Sequence, residues 1–553
     1  MARRTSVSIR IKRSLLFVHR WLGVVLCALF LLWFASGIGM MYWSMPAVSA
    51  RDRLERAPAL DPATIRLSPQ EAAEKVGVTP SPAQTRLSSF DGRPVYRFGA
   101  GGRGGGGGQI VYADTGEEQL DAPSTMRDRA AAAWTGQPVK AVAVQSVTDI
   151  DQWMVGNSLR NLRPLWKYSW PNGEQVYIGE SGEVLMYTTT TSRLQAYVSA
   201  VPHWLYFTPL RKHQPVWIRV ATYSAMIGTG GAILGVILGV WLYSPSKKYL
   251  YAGQMSRIPY RGQKRWHTML GLIFGLATIT WTLSGSLAFL PFPTPPRPQA
   301  VAAPPQAPAP RAQGQRGGRG GGGGGPAQAL RGRVDMADFA VHPRDLIAQH
   351  ADLQVKELEF SSFAGEPLYI AHLGDGTSRR FSLDGQPIDS IDADVVLDIV
   401  KTSVSDPKAL ETRIVDQYDY YYFDRTRQRP LPVILALTHD DVGTRYYVDP
   451  KTATVVGTYS DRNWARRFFY NGLHSLSFPW LYNHRPLWDI VVIAFMLGGM
   501  ALSTTALVLA WQVLGRKLRR VVSAFGARDR SPAARPGRRV PEWPLPSRSE
   551  SPE

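Results

Sequence analysis

Hydrophobic and polar positions follow two regimes along the chain. Four stretches carry no Asp, Glu, Lys or Arg: Trp21–Met45, Val220–Ser246, Thr268–Phe292 and Ile490–Gly515. Each exceeds the roughly 20 residues that a helix needs to cross a hydrocarbon core about 30 Å thick, so the pattern predicts four transmembrane helices. The long segments between them alternate β-formers around turn-rich centres, as hairpins do. Such phrases run over Val176–Leu185 and Tyr446–Val456, with further versions at Ile110–Glu117 and Arg380–Gln386. Helical stretches at Pro69–Val76 and Ile391–Val404 accompany them, so each long segment reads as two small α+β units.

The resulting partition is a basic N-terminus at 1–14, a first spanning helix within 15–45, and an outer domain at 46–195 with a glycine-rich insert at 99–108. An interfacial segment and second helix follow at 196–245, then a basic loop at 246–265 and a third helix at 266–292. A Pro/Gly-rich linker at 293–332 leads to a second outer domain at 333–460. Another interfacial segment and the fourth helix occupy 461–515, and a disordered tail closes the chain at 516–553.

Charge adds orientation. The chain carries 63 Lys+Arg against 43 Asp+Glu, a net charge of +20 over 553 residues. Residues 1–20 hold six basic groups and no acid, the stretch 247–265 another six and no acid, and the tail after Leu514 ten basic and four acidic. These three segments supply +18 of the total, and the two long segments are nearly neutral. Positive segments stay cytoplasmic, so both termini lie inside and both outer domains on the far side. The basic balance is thus an orientation signal and no nucleic-acid footprint. The first apolar run exceeds a signal-peptide core of about 7–15 residues, which makes it a retained anchor. A single cysteine, Cys27, excludes an internal disulfide, a C-x-x-C-H attachment and a four-cysteine cluster. Gly102–Gly107 fits G-x-G-x-x-G only because it lies in polyglycine, and it opens no amphipathic helix.

The spans repeat. His19-Arg-Trp-Leu-Gly23 and Trp33-Phe-Ala-Ser36-Gly37 in the first recur as His267-Thr-Met-Leu-Gly271 and Trp281-Thr-Leu-Ser284-Gly285 in the third, at unchanged spacing. Before the second and fourth spans, His203, His213, Pro215 and Trp217 match His474, His484, Pro486 and Trp488. In the outer segments Asp151-Gln-Trp153 with Arg163-Pro-Leu165 reads as the counterpart of Asp416-Gln-Tyr418 with Arg429-Pro-Leu431. The chain is therefore expected to be an internal duplication.

With the H-x-x-x-G and S-G spans, Pro202-His203-Trp204 with Leu210, and the hairpins in view, the sequence resembles the PepSY-associated transmembrane family. This bacterial inner-membrane group includes iron-regulated membrane proteins and haem-containing ferric-siderophore reductases. The resemblance spans almost the whole chain apart from the glycine runs and the end of the tail. It implies a membrane α-helical fold with four core helices and two periplasmic α+β PepSY-like domains. In the reductase members it also implies b-type haem held by histidine.

Six of the ten histidines fall in the repeated membrane motifs. A bis-histidine haem needs two neutral imidazoles on different helices, with small residues beside them. His19 and His267 occupy equivalent positions, with Gly23 and Gly271 one turn further in; they read as ligands of one haem iron or as interfacial anchors beside Arg20 and Arg265. At the outer face His203 and His474, in aromatic surroundings, compete with His213 and His484, which lie beside charge and proline. The resemblance favours His203 and His474 as the iron ligands, and the charged neighbours of His213 and His484 suit propionates or anionic lipid. His342, His350, His372 and His439 show no ligand spacing and read as surface or structural residues. The aromatic run Tyr418–Phe423 reads as a sheet face or as a platform for a chelate.

The expected function is an inner-membrane oxidoreductase with one or two haems b, passing electrons to a periplasmic acceptor such as ferric iron in a siderophore or other chelate. Its donor is an unidentified cytoplasmic or quinol reductant, and its surroundings are membrane lipid. The alternative is a haem-free scaffold whose outer domains bind a peptidase or assembly partner. No hydrolase or nucleotide-binding motif stands in the sequence. The charge pattern makes one direct prediction: reporter fusions after Ser124 and after Gly385 both report the periplasm, and a cytoplasmic signal from either overturns the orientation.

Overall fold

The computed structural model describes residues 2–99, 108–139, 142–155, 162–251, 253–288, 326–389 and, with short breaks, 391–528. Most of the glycine-rich insert, most of the linker, Gly102–Gly107 and the tail from 529 lie outside the described residues.

Among the described residues, four helices are long and apolar enough to cross a membrane: Ile9–Tyr42, Gln214–Leu242, Gly262–Leu287 and Leu487–Ser523. The helix containing the first span begins at Ala2, within the segment read as a separate N-terminus, and the fourth continues to Arg528, past the expected boundary at 515. The reason is local: Arg516–Ala524 contains neither glycine nor proline, and most of its residues are good helix formers. The first helix packs against the second and fourth, as does the third, so the first and third face each other diagonally. Small residues bring the backbones together, as lipid-embedded packing requires. A Cβ on Gly228 would lie 2.6 Å from Phe30, one on Gly275 2.5 Å from Val236, and one on Gly499 2.5 Å from Phe34.

Outside the bundle three larger sheets form. The phrases at Val176–Leu185 and Tyr446–Val456 are hairpins, built by Gln175–Ile178 with Val184–Thr188 and by Arg445–Asp449 with Thr454–Tyr459. Each belongs to a four-stranded antiparallel meander. The phrases at Ile110 and Arg380 are only half hairpins. Strands Gln109–Tyr112 and Ser378–Phe381 are answered by single bridges, Val111 with Glu118 and Phe381 with Pro387. At the second, Pro387 has no N–H to give the ladder.

The outer segments are not self-contained. Strands from both enter one six-stranded sheet, in the order Ser378–Phe381, Glu366–His372, Glu357–Phe363, Thr85–Phe90, Arg93–Phe98, Gln109–Tyr112. The seam pairs Arg86 with Glu359, Leu87 with Leu358 and Ser88 with Glu357 in antiparallel register. Arg86 reaches Glu357 at 3.0 Å and Glu359 at 3.4 Å. Leu87, Tyr96, Leu358, Phe360 and Tyr369 share one buried core beneath it. Full burial of a Leu or Phe side chain contributes about 1.5–3 kcal/mol, so the seam is an interior, not a surface contact.

The two four-stranded units share a further contact. Tyr177 donates its hydroxyl to Asp151 at 2.9 Å, and Tyr447 donates to Asp419 at 2.7 Å. Asp151 accepts the Trp153 N–H, as Asp419 accepts those of Tyr421 and Tyr422. The structural counterpart of Asp151 is therefore Asp419, three residues beyond Asp416. Burial and the neighbouring carboxylate push both tyrosine hydroxyls above their ordinary range. The second of these units sits directly on the bundle, where Tyr422, Leu435 and Tyr447 join a core with Phe34, Trp281, Trp488 and Met496.

The seam makes a direct prediction. Directly opposed antiparallel residues lie about 4.5–5.5 Å apart at Cα, within disulfide reach. Ser88→Cys with Glu357→Cys will cross-link on oxidation, and protease cleavage at a site engineered into 293–325 will then leave two fragments joined on a non-reducing gel. Separation of the fragments overturns the shared sheet.

Candidate functional site

Two cavities lie within the bundle and its outer cap, and each is lined by a histidine pair. The inner one has a volume of about 540 Å³ and contains His19 and His267, brought together from diagonal helices. Their ring centres are 6.2 Å apart with planes at 40°. His19 Nδ1 lies 3.0 Å from the Gly231 carbonyl, which can only accept, so Nδ1 carries the proton and the lone pair is on Nε2. His267 Nδ1 lies 3.1 Å from Thr505 Oγ1, and Thr505 donates its own hydroxyl to the Leu502 carbonyl at 2.7 Å. Thr505 is thereby the acceptor, and His267 also presents Nε2.

Glycines shape this cavity in two ways. Gly235, on the second helix, makes room for the imidazole: an added Cβ would stand 2.7 Å from His19 Cε1. Gly23 and Gly271 open onto space. A Cβ at Gly23 meets nothing within 4 Å, and one at Gly271 meets only Leu502 at 3.8 Å. Arg13, Arg20, Lys264 and Arg516 also line the cavity, and Cys27 faces it.

The outer cavity, about 400 Å³, is lined by His203 and His474. Their ring centres are 6.0 Å apart with planes at 61°. His203 closes the short helix Ala200–His203, and His474 lies in Leu473–Ser475, after a π-helical turn at Arg466–Gly472. The serines of the repeated S-G motifs hold both rings. Ser36 donates to the Leu32 carbonyl at 2.6 Å and accepts from His203 Nδ1 at 3.2 Å. Ser284 donates to the Trp281 carbonyl and accepts from His474 Nδ1, both at 3.1 Å. The adjacent glycines leave room for the rings: a Cβ on Gly37 would lie 3.7 Å from His203 and one on Gly285 3.4 Å from His474. Tyr470 stacks on His474 at 5.4 Å and 13°. Burial lowers the His474 imidazole to about 4, which keeps it neutral near pH 7.

His213 and His484 line neither cavity. His213 stands at the cap of the second spanning helix, and exposed His484 pairs its Nδ1 with the Trp480 carbonyl at 2.7 Å. His342 caps a short helix, His350 reaches the Gly385 carbonyl, His372 pairs with Ser378 and Glu359, and His439 approaches Glu411. Among the described residues no group of three His, Cys, Asp or Glu side chains could hold a metal ion.

Sequence reading left Ser36, Ser284, Thr505, Gly231 and Gly235 without a role. The two serines carried a signal, since they sit in the repeated motifs beside Gly37 and Gly285. Thr505 and the second-helix glycines become visible only once the helices are assembled. Along an axis rising 1.5 Å per residue, Ser36 and Ser284 lie about 26 Å beyond His19 and His267, so the two imidazole pairs are stacked along the bundle. Phe30 lines both cavities, and Trp33 and Trp281 line the outer one.

The two kinds of glycine should respond differently. Gly235→Ala drives His19 off the Gly231 carbonyl and lowers stability by about 1–3 kcal/mol through overpacking. Gly23→Ala meets open cavity and gains up to about 1 kcal/mol of helix propensity. Thermal melts of the purified protein in detergent separate the two, and equal midpoints refute the assignment.

A family model for the PepSY-associated TM region matches residues 16–376. No curated protein matches the chain.

Proposed function

We propose that the chain, which belongs to the PepSY-associated TM family, is a bacterial inner-membrane oxidoreductase. In this reading it arose by internal duplication, keeps its termini in the cytoplasm and its sheets in the periplasm, and binds two haems b. Its acceptor is ferric iron in a siderophore or other chelate. The observation that carries the reading is the pair of facing imidazoles in each cavity, with Nδ1 tied back by a neighbouring acceptor.

The donor set fits such a group. The imidazole centres stand 6.2 and 6.0 Å apart, close enough for both rings of a pair to reach one metal. Two side chains alone leave a bare ion under-coordinated, so a group that brings donor nitrogens of its own, as haem does, would suit the pair better than a free ion. His19 with His267 and His203 with His474 would hold such a group, oriented as metal-binding imidazoles are by the partner of the other nitrogen. Both cavities fall within the roughly 300–1,000 Å³ range of ligand sites, and Gly23 and Gly271 keep a wall of the inner one open. The arginines and lysine at the inner cavity suit carboxylate substituents.

Bound haem supplies reversible one-electron chemistry. The protein's part is to hold the imidazoles neutral, to stack the two sites across the bilayer, and to offer the outer cavity to an acceptor. Ferric iron that gains one electron there becomes ferrous and is held less tightly by hard oxygen ligands, which frees it for uptake.

Absorption spectra of the protein purified from membranes test this. Wild type shows a reduced-minus-oxidised b-type difference spectrum and two haems per chain. His203→Ala or His474→Ala removes one and leaves the inner haem intact, and His19→Ala or His267→Ala does the converse. Gly23→Leu and Gly271→Leu fill the inner cavity and lose its haem while the protein still inserts. A wild-type protein without haem sinks the oxidoreductase reading in favour of a scaffold.

A further inference from the structure

The two halves of the outer cavity are unequal. Eight residues before His203 stands Gln195, and eight before His474 stands Arg466. Gln195 lies in an ordinary α-helix, Thr190–Val198, whereas Arg466 opens the π-helical turn Arg466–Gly472. Such turns insert a residue into a helix and re-aim side chains, often at functional sites. Here two consecutive arginines take opposite paths. Arg467 is buried, donating to the Ser477 hydroxyl at 3.0 Å and its carbonyl at 2.8 Å, and anchors the turn. Arg466 is exposed, lines the outer cavity, and makes no hydrogen bond or ion pair among the described residues.

Arg466 is also the only Lys, Arg, Asp or Glu among the described residues lining that cavity. Its other walls are aromatic and apolar, with Trp33, Trp204, Trp217 and Trp488 among them. A guanidinium beside low-dielectric walls, with no carboxylate of its own, attracts oxyanions and pairs with a carboxylate through two parallel hydrogen bonds. Its neighbour four residues on, Tyr470, lines the same cavity and stacks on His474, so the cation and one imidazole of the site are carried by adjacent turns.

We propose that Arg466 makes the outer cavity a carboxylate-binding site, seated on the second half of the chain only. The carboxylate has two sources, a propionate of the group held between His203 and His474 or a carboxylate of a soluble ferric chelate such as citrate. Naming these sources rests on the function proposed above; the recognition of a carboxylate by Arg466 does not.

The test uses the full-length protein in detergent, with Arg466→Gln, which copies the other half, and Arg466→Lys, which keeps the charge. Citrate binding is followed by tryptophan fluorescence, since Trp204 and Trp217 line the cavity. Haem-to-protein ratio and midpoint potentials are measured alongside. A soluble carboxylate is the partner if wild type binds citrate, added salt weakens binding, Arg466→Gln weakens it about tenfold or more, and haem content and potentials stay unchanged. A propionate is the partner if citrate binds neither protein while Arg466→Gln lowers haem content or shifts the outer potential, with Arg466→Lys closer to wild type. Arg466→Gln indistinguishable from wild type in citrate affinity, haem content and potential overturns the proposal. A haem-free wild type defeats the oxidoreductase reading separately, and the citrate titration then decides the role of Arg466 alone.

Discussion

An imidazole inside a membrane protein must hand its N–H to some acceptor, because hydrocarbon offers none and an unpaired donor costs several kcal/mol. That constraint organises the bundle. Each of the four cavity histidines gives Nδ1 to a neighbour: a backbone carbonyl for His19, hydroxyls for His267, His203 and His474. Every hydroxyl that accepts has already donated to a carbonyl of its own helix. These short relays fix the ring orientation and the tautomer together. They also explain the glycines, because an imidazole can approach a helix backbone as closely as His19 approaches Gly231 only where Gly235 removes the side chain in its way.

The same relays link the helices to the outer cap. Ser36 lies on the first spanning helix and His203 lies beyond the first outer segment; Ser284 and His474 repeat the relation in the other half. The outer cavity is thus closed by contacts between membrane-embedded and cap residues, and the core joining Trp281 and Met496 to Tyr447 and Leu435 holds the cap in place. The halves match in their hydrogen bonds and differ at the rim, where Arg466 has no counterpart.

Much of this was legible in the sequence, for identifiable reasons. Uncharged runs longer than a bilayer is thick leave no alternative to spanning helices, and unchanged His–Gly and Ser–Gly spacings mark the residues that line the cavities. Pairing between distant strands left no such trace. Thr85–Phe90 and Glu357–Phe363 each pair with the strand that follows them, and nothing in the sequence of either names the other as neighbour. Asp416 and Asp419 stand in one aspartate- and tyrosine-rich run, and it is Asp419 whose contacts, to the Tyr447 hydroxyl and to nearby backbone N–H groups, match those of Asp151. Gly235 escaped notice because a glycine in an apolar helix has no signature until the ring that needs it is in place.

The seam between Thr85–Phe90 and Glu357–Phe363 imposes an order on biosynthesis. The first strand is synthesised while the third spanning helix, the linker and the second outer segment are still unmade. Until they arrive, the edge of Thr85–Phe90 that faces Glu357–Phe363 has no partner strand, and an unpaired strand edge is a template for foreign pairing. Completion of the first half therefore waits on synthesis of the second. At a synthesis rate of about 5–20 residues per second, the roughly 270 residues between the two strands keep that edge open for tens of seconds. A truncation after the second spanning helix would leave the edge permanently exposed.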